Sequence, residues 1–224
     1  MKTALAAAAL AIALASGCAH APKVPVAAWG QPTETSDVRV DLAEAMVATD
    51  RPEAALKIIR TARDEGIQGP DLTVVQAKAL LAKGLDGEAQ ALLDEVLRTT
   101  PRHAGALAVQ GVLYLDQKRI EEATAALAIA ARRSPGDARL LNNYGFSLLV
   151  SGRYADSEEA LREALRLDPS NARARNNLGF ALAALGRTQE AREAFLAVVT
   201  EEEADHNLRL AAQLYPPTET PEAP

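Results

Sequence analysis

The sequence predicts an all-α fold, an α-solenoid built from about five helix pairs that repeat every 34 residues. The segment from Leu141 to Phe146 recurs 34 residues later as the segment from Arg175 to Phe180. Self-similarity at a fixed period of this length indicates a stacked repeat architecture. The composition agrees, because 48% of the residues are hydrophobic but only 4% are aromatic, and alanine is abundant. Such a composition suits helices that pack closely side by side.

The 34-residue register extends over five units and keeps small and large residues at fixed positions. Small residues at positions 8 and 20 allow two helices to approach, and a large residue at position 24 fills the space between them. We therefore predict a helix A and a helix B in each unit. The units cover residues 36–69, 70–103, 104–137, 138–171 and 172–205; position 8 holds Ala43, Ala77, Gly111, Gly145 and Gly179, and position 24 holds Ile59, Leu93, Leu127, Leu161 and Phe195.

The ends of the helices are also marked in the sequence. Pro101, Pro135 and Pro169 end helix B in the three central units, and Pro52 suits the first turn of helix B in the first unit. The whole pattern over residues 36–205 resembles the tetratricopeptide repeat (TPR) family. That resemblance implies that the A helices line a groove that binds a protein or peptide. We expect residues 206–215 to form a capping helix and residues 216–224 to be a disordered tail.

The N-terminal residues resemble a bacterial lipoprotein signal. Lys2 precedes an apolar run from Ala4 to Ala15 that is too short to span a bilayer comfortably, and small residues lead to Cys18. The resemblance implies that residues 1–17 are a signal peptide, that Cys18 carries lipid, and that residues 18–35 are a lipid-anchored flexible tether. Because Ala19 follows the cysteine, it also implies anchoring in the outer membrane, facing the periplasm. The alternative is an ordinary secretory signal that is cut nearby.

The most binding-like residues lie on the A helices of the fourth and fifth units. An asparagine amide both donates to and accepts from a peptide backbone, phenylalanine offers apolar area, and arginine holds carboxylates. Alternatively, these asparagines suit the TPR fold itself, Asn142 and Asn176 face solvent, and the phenylalanines are partly buried between A helices. We interpret Asp37, Asp41 and Glu44, on the first A helix, as solvated charges; the alternative is that they give the groove opposite charge at its two ends and orient a dipolar peptide. The candidate groove residues are Arg139, Asn142, Asn143, Phe146, Arg173, Asn176, Asn177 and Phe180.

Several classes of function are disfavoured. The net charge of −6 argues against a nucleic-acid binder, which would need a basic face. His20, His103 and His206 are far apart and have no metal-binding spacing, and no glycine-rich phosphate loop occurs. We therefore expect no catalytic activity, no metal and no cofactor.

The combination of an exported lipoprotein signal with TPR units resembles several bacterial envelope families. The run from Glu202 to Leu208 is most similar to the tight-adherence (Flp-type) pilus assembly lipoproteins. This resemblance implies a non-catalytic adaptor that aids assembly of a pilus, a secretin or a secretion system, with a secretin or pilus component in its groove. The alternative is an envelope scaffold that docks peptidoglycan-processing enzymes through its convex face, or as a homodimer.

Overall fold

The computed structural model describes residues 38–215, and within this range it contains eleven α-helices and no strand. The predicted all-α fold of TPR helix pairs, an α-solenoid, is confirmed. Helices α3, α5, α7 and α9 begin at the residues where the register starts units two to five. The helices are α1 Val38–Ala48, α2 Pro52–Asp64, α3 Pro70–Ala82, α4 Asp86–Thr99, α5 Ala104–Asp116, α6 Ile120–Arg133, α7 Ala138–Val150, α8 Tyr154–Leu167, α9 Ala172–Ala184, α10 Thr188–Leu196 and α11 Glu201–Leu214.

The described chain divides into two compact units at Leu140. The N-terminal unit, residues 38–140, holds α1 to α6 and the first turn of α7. The C-terminal unit, residues 141–215, holds the remainder of α7 and α8 to α11. Each has its own buried apolar cluster, so each is described separately.

The close approach of helices A and B that the small residues predict is present. A Cβ atom added to Gly111 would lie 2.6 Å from Cγ of Leu127, and one added to Gly145 would lie 2.6 Å from Cγ of Leu161. These distances are well below ordinary contact between carbon atoms. A larger residue at either position would therefore require the facing leucine side chain to shift.

The turn between helices A and B uses a left-handed residue at position 15 in all five pairs. Three of these residues are Gly84, Gly152 and Gly186, with φ between 74° and 80°. The other two are Asp50 and Lys118, with φ of 56° and 61°. Left-handed backbone is costly for residues other than glycine, although aspartate tolerates it better than most. Lys118 is thus a strained position that the sequence pattern did not reveal.

The capping helix is longer than predicted. It begins at Glu201 rather than at His206, because Thr200 and Glu203 form a capping box. The Thr200 hydroxyl accepts a hydrogen bond from the Glu203 backbone N–H, and the Glu203 carboxylate accepts one from the Thr200 backbone N–H at 2.9 Å. Helix B of the fifth pair, α10, is accordingly short.

Several predicted segments lie outside the described residues. These are the signal peptide, the lipid-bearing Cys18, the tether and the tail after Tyr215. Within residues 38–215, none of the helices has both the length and the apolar character that a membrane span requires.

Candidate protein-binding surface

A buried lysine lies at the centre of the A-helix face of the N-terminal unit. Lys78, on α3, is almost fully buried, and its ammonium group donates a hydrogen bond to the Glu44 carboxylate of α1. Burial lowers the pKa of Lys78, and the attraction of Glu44 opposes this shift. The interpretation of Glu44 as a solvated charge is therefore wrong, because its side chain is mostly buried in this ion pair.

Arg139 lies within electrostatic range of Lys78 and is incompletely paired. The Asp137 carboxylate accepts a hydrogen bond from the Arg139 backbone N–H at 2.9 Å, which caps the start of α7. The Arg139 Nε atom lies 3.8 Å from the same carboxylate oxygen, too far for a hydrogen bond. Both Nε and Nη2 of Arg139 are buried, and neither has a hydrogen-bond partner among the described residues. The like charge of Arg139 also contributes to the lowered pKa of Lys78.

His103 caps the N-terminus of α5. Its Nδ1 atom accepts a hydrogen bond from the Ala106 backbone N–H at 3.2 Å, and its Nε2 atom lies 3.2 Å from the Asp71 carboxylate. A neutral imidazole with its proton on Nε2 satisfies both contacts. The hydrogen bond from His103 lowers the pKa of Asp71. Both groups of this pair therefore have a local structural role.

Asn142, Asn143 and Asn177 form a buried amide network in the C-terminal unit. The Asn177 amide of α9 donates to Oδ1 of Asn142 on α7 at 3.0 Å, and the Asn142 amide donates to Oδ1 of Asn143 at 3.3 Å. One helix further on, the Asn207 amide of α11 donates to Oδ1 of Asn176 at 3.1 Å. The alternative in which Asn142 and Asn176 simply face solvent is wrong, because both bond to the next A-type helix.

The predicted groove role of Phe180 is wrong. Its side chain is 2% exposed and packs edge-on against Phe195, with ring centroids 5.0 Å apart, and against Tyr215 at 6.3 Å. It belongs to the core and packs on helix B and on Tyr215, so it is more deeply buried than the alternative interpretation of the phenylalanines expected. Phe146 is half-buried against the same apolar cluster, and Arg173 is exposed.

The structure brings together only part of the predicted set. Six candidate residues lie in the C-terminal unit outside its core aromatic cluster, namely Asn142, Asn143, Phe146, Arg173, Asn176 and Asn177. Arg139 lies in the N-terminal unit, next to Lys78. Lys78 was not among the site residues predicted from the sequence. It occupies position 9 of the second unit, and Glu44 occupies the same position of the first unit.

The B helices of the C-terminal unit have charges that are paired within the chain. Arg187 bonds to Glu158 and to Glu190, each at 2.6 Å, and Arg166 bonds to Glu163 at 2.6 Å. The Arg166 pair is exposed and contributes little stability, whereas Glu158 is mostly buried; all three pairs keep their charged groups occupied. In the part of the chain that the structure describes, no group of three or more histidine, cysteine or acidic residues is placed to hold a metal ion.

The family model for the tetratricopeptide repeat matches residues 74–138 and 146–207, which is more than half of the chain. The chain belongs to the TPR family. No curated protein sequence matches it.

The fold of this chain is similar to that of solved TPR structures. TTC0263, a thermophilic TPR protein in Thermus thermophilus, is 25% identical with a TM-score of 0.60, over 79% of this chain and 96% of that one. MamA from Desulfovibrio magneticus RS-1 is 25% identical with a TM-score of 0.57, over 75% of this chain and 97% of that one. A TPR fold suggests a scaffold for protein–protein interaction rather than an enzyme.

Proposed function

We propose that this TPR protein is a non-catalytic adaptor of the bacterial envelope that binds an acidic segment of a protein partner on the A-helix face of its N-terminal unit. The observation that carries this proposal is the pair of buried, unpartnered guanidinium nitrogens of Arg139. Leaving a buried donor unsatisfied costs about 1–3 kcal/mol, and more for a charged group. The Arg139 side chain as a whole is 26% exposed, so a partner carboxylate would remove this cost if the guanidinium turned towards it and away from Asp137.

Two carboxylates, Glu44 and Asp137, already accompany the cations Lys78 and Arg139, so the preference for an anionic partner group rests on the incomplete hydrogen bonding of Arg139. Lys78 lies within electrostatic range of Arg139, and its own carboxylate partner Glu44 is on α1. Arginine binds carboxylates through charge-assisted hydrogen bonds that are about twice as strong as neutral ones. An aspartate or glutamate side chain of an extended peptide, or a terminal carboxylate, has the chemistry that this site lacks.

The C-terminal unit offers a second contact of different chemistry. Arg173 is exposed, and the asparagine network keeps amide groups at fixed positions on α7 and α9. An amide both donates and accepts hydrogen bonds, which is the chemistry that a peptide backbone offers in return. We propose that Asn143 and Asn177 hold the backbone of the same class of partner.

The B helices support this choice of surface. The arginines of α8 and α10 that lie beside acidic residues form ion pairs within the chain. A partner that docked there would have to replace these pairs. The A helices instead present Arg139, whose buried nitrogens lack an acceptor among the described residues. This difference favours binding of the partner at the A helices over docking of an enzyme on the B helices.

We propose further that lipid on Cys18 anchors the protein in the outer membrane, with its TPR units in the periplasm, and that the partner belongs to a pilus, secretin or secretion assembly. The sequence before and after Cys18 and the run from Glu202 to Leu208 support this. Replacing Cys18 with alanine should abolish incorporation of labelled fatty acid and release the protein from the membrane. Labelling that persisted in this variant would contradict the anchor.

A crosslinked pull-down from intact envelopes, identified by mass spectrometry, tests partner binding. The variant Arg139→Gln should lose the partner, while Arg132→Gln, an exposed arginine in the last turn of α6, serves as the matched control. Equal recovery of the partner with both variants would refute the carboxylate site. Deletion of the protein should reduce secretin multimers or pili, and unchanged multimers and pili with altered wall hydrolysis would refute the assembly role.

A further inference from the structure

Helix α1 is apolar on two faces. Val40, Ala43 and Val47 are buried in the N-terminal unit. Val38 and Leu42 form a second stripe on another side of the helix at a spacing of four residues, and Met46, one turn further on, continues it but is partly buried against the core of the unit. Val38 is 78% exposed and Leu42 is 48% exposed, although a helix that is apolar all round is normally buried.

Val38 and Met46 occupy positions that are buried in α3. Val38 is position 3 of its unit, and the residue at that position in α3 is Leu72, which is 2% exposed. Met46 is position 11, and its equivalent in α3 is the buried Leu80. Among the described residues α1 packs mainly on α2 and α3, whereas α3 packs on α1 as well as on α5. The stripe is thus the face on which an earlier element would pack.

The opposite end of the array shows how the chain covers such a face. Tyr215 is the residue that follows α11, and it is buried. Its ring packs edge-on against Tyr154, with centroids 6.0 Å apart, and against Phe180. An aromatic residue from the flanking segment closes that end.

We propose that residues 24–29, the apolar segment ending in Trp29, dock on the Val38, Leu42 and Met46 stripe of α1. Eight residues separate Trp29 from Val38, and they can span roughly 25 Å when extended. The stripe itself is only about 12 Å long at 1.5 Å per residue. The connection is therefore long enough for the chain to double back, and short enough to keep the local concentration of Trp29 in the millimolar range.

The size of the stripe favours this occupant over a second copy of the protein. A tryptophan side chain buries about 150–250 Å², which matches a patch of three side chains. A stable protein dimer needs about 800 Å² from each partner. The consequence for the anchored protein is a shorter tether, because only five residues lie between Cys18 and Val24.

Trp29 is the only tryptophan, so its fluorescence reports on this contact alone. The full-length chain is purified in a non-absorbing detergent. We expect its Trp29 emission maximum to lie at a shorter wavelength than in urea, and we expect acrylamide to quench the emission only weakly. Leu42→Glu should shift the emission towards the urea value and remove the protection from acrylamide. The matched control is Leu196→Glu, on α10, where the leucine is 40% exposed; it should leave both unchanged.

Both variants must show native helix content by circular dichroism. We expect this because both leucines are exposed. The proposal would be overturned if the native protein and the protein in urea had the same wavelength of maximum emission. Blue-shifted emission that Leu42→Glu leaves unchanged would also overturn it, because Trp29 would then be buried elsewhere, including in detergent or lipid. A red shift on dilution would overturn it in favour of a second copy of the chain.

Discussion

Replacing Gly179 with alanine should destabilise the C-terminal unit through a collision with Phe195. The new Cβ atom would lie 2.5, 2.7 and 2.8 Å from three carbon atoms of the Phe195 ring. Ordinary carbon contacts are about 3.5–4.0 Å, so the ring would have to move by about 1 Å. It is fully buried and packs on Phe180, so it cannot swing away cheaply.

Two terms decide the size of the effect. Overpacking a core typically costs about 1–3 kcal/mol. Alanine in place of a helical glycine returns roughly 0.5–1 kcal/mol. We therefore expect Gly179→Ala to lower the free energy of unfolding by about 1–2 kcal/mol, measured by urea denaturation followed by circular dichroism.

The chain contains its own control for this argument. In the second helix pair Ala77 already sits at position 8 opposite Leu93, and both are fully buried. Leucine evidently adapts to this Cβ atom. Gly111→Ala, which faces Leu127, should therefore change stability by less than about 0.5 kcal/mol, because the helix-propensity gain offsets a small shift of the leucine.

A double-mutant cycle makes the test decisive. Phe195→Leu should lose stability in the wild type, because it removes the contact with Phe180, but should cost much less in the Gly179→Ala background. We expect a coupling energy above about 1 kcal/mol between the two sites. Additive effects, or a Gly179→Ala variant as stable as the wild type, would refute the packing argument.

Three further outcomes are expected. Lys118→Gly should raise the free energy of unfolding by about 1 kcal/mol in urea denaturation, because it relieves a left-handed residue with φ of 61°; an unchanged midpoint would contradict the assigned strain. Burial and the nearby Asp86 raise the pKa of Asp116 to about 7, whereas its pKa in the unfolded chain is about 4. The stabilisation by its protonated form is therefore complete below about pH 4 and is lost as the pH rises through 7. Asp116→Asn should therefore flatten the stability profile between pH 4 and 7 and add about 1–2 kcal/mol at pH 8, less than the full shift implies because the side chain is partly exposed. Asn143→Ala combined with Asn177→Ala should weaken partner binding by roughly 1–3 kcal/mol in a titration, and full affinity in a folded double variant would assign these residues to the fold alone.

The helix pairs could be predicted because their signals are local and recur. Glycine or alanine at position 8 and a large residue at position 24 appear in every unit, so each repeat checks the others. The true start of α11 was also visible, since Thr200 and Glu203 have the spacing of a capping box. Extending the 34-residue register to His206 hid that signal.

The candidate site was harder to predict because its properties depend on contacts between repeats. Glu44 and Lys78 share position 9, but only the packing of α1 on α3 shows that the lysine is buried with its partner. The burial of Phe180 depends on Tyr215, a residue beyond the last repeat. Lys118 gave no signal at all, because its strain lies in the backbone rather than in the pattern of side chains.

The amide network of the C-terminal unit has a consequence for its response to ionic strength. Asn177 and Asn142 join α9 to α7 through a neutral hydrogen bond, and Asn207 and Asn176 join α11 to α9 in the same way. Salt screens interactions between charges, over a Debye length of about 8 Å at physiological strength, but has little effect on neutral amide pairs. High salt should therefore leave these helices joined while it slows the approach of an acidic partner to Arg139, although a carboxylate already bound to the buried nitrogens is screened much less.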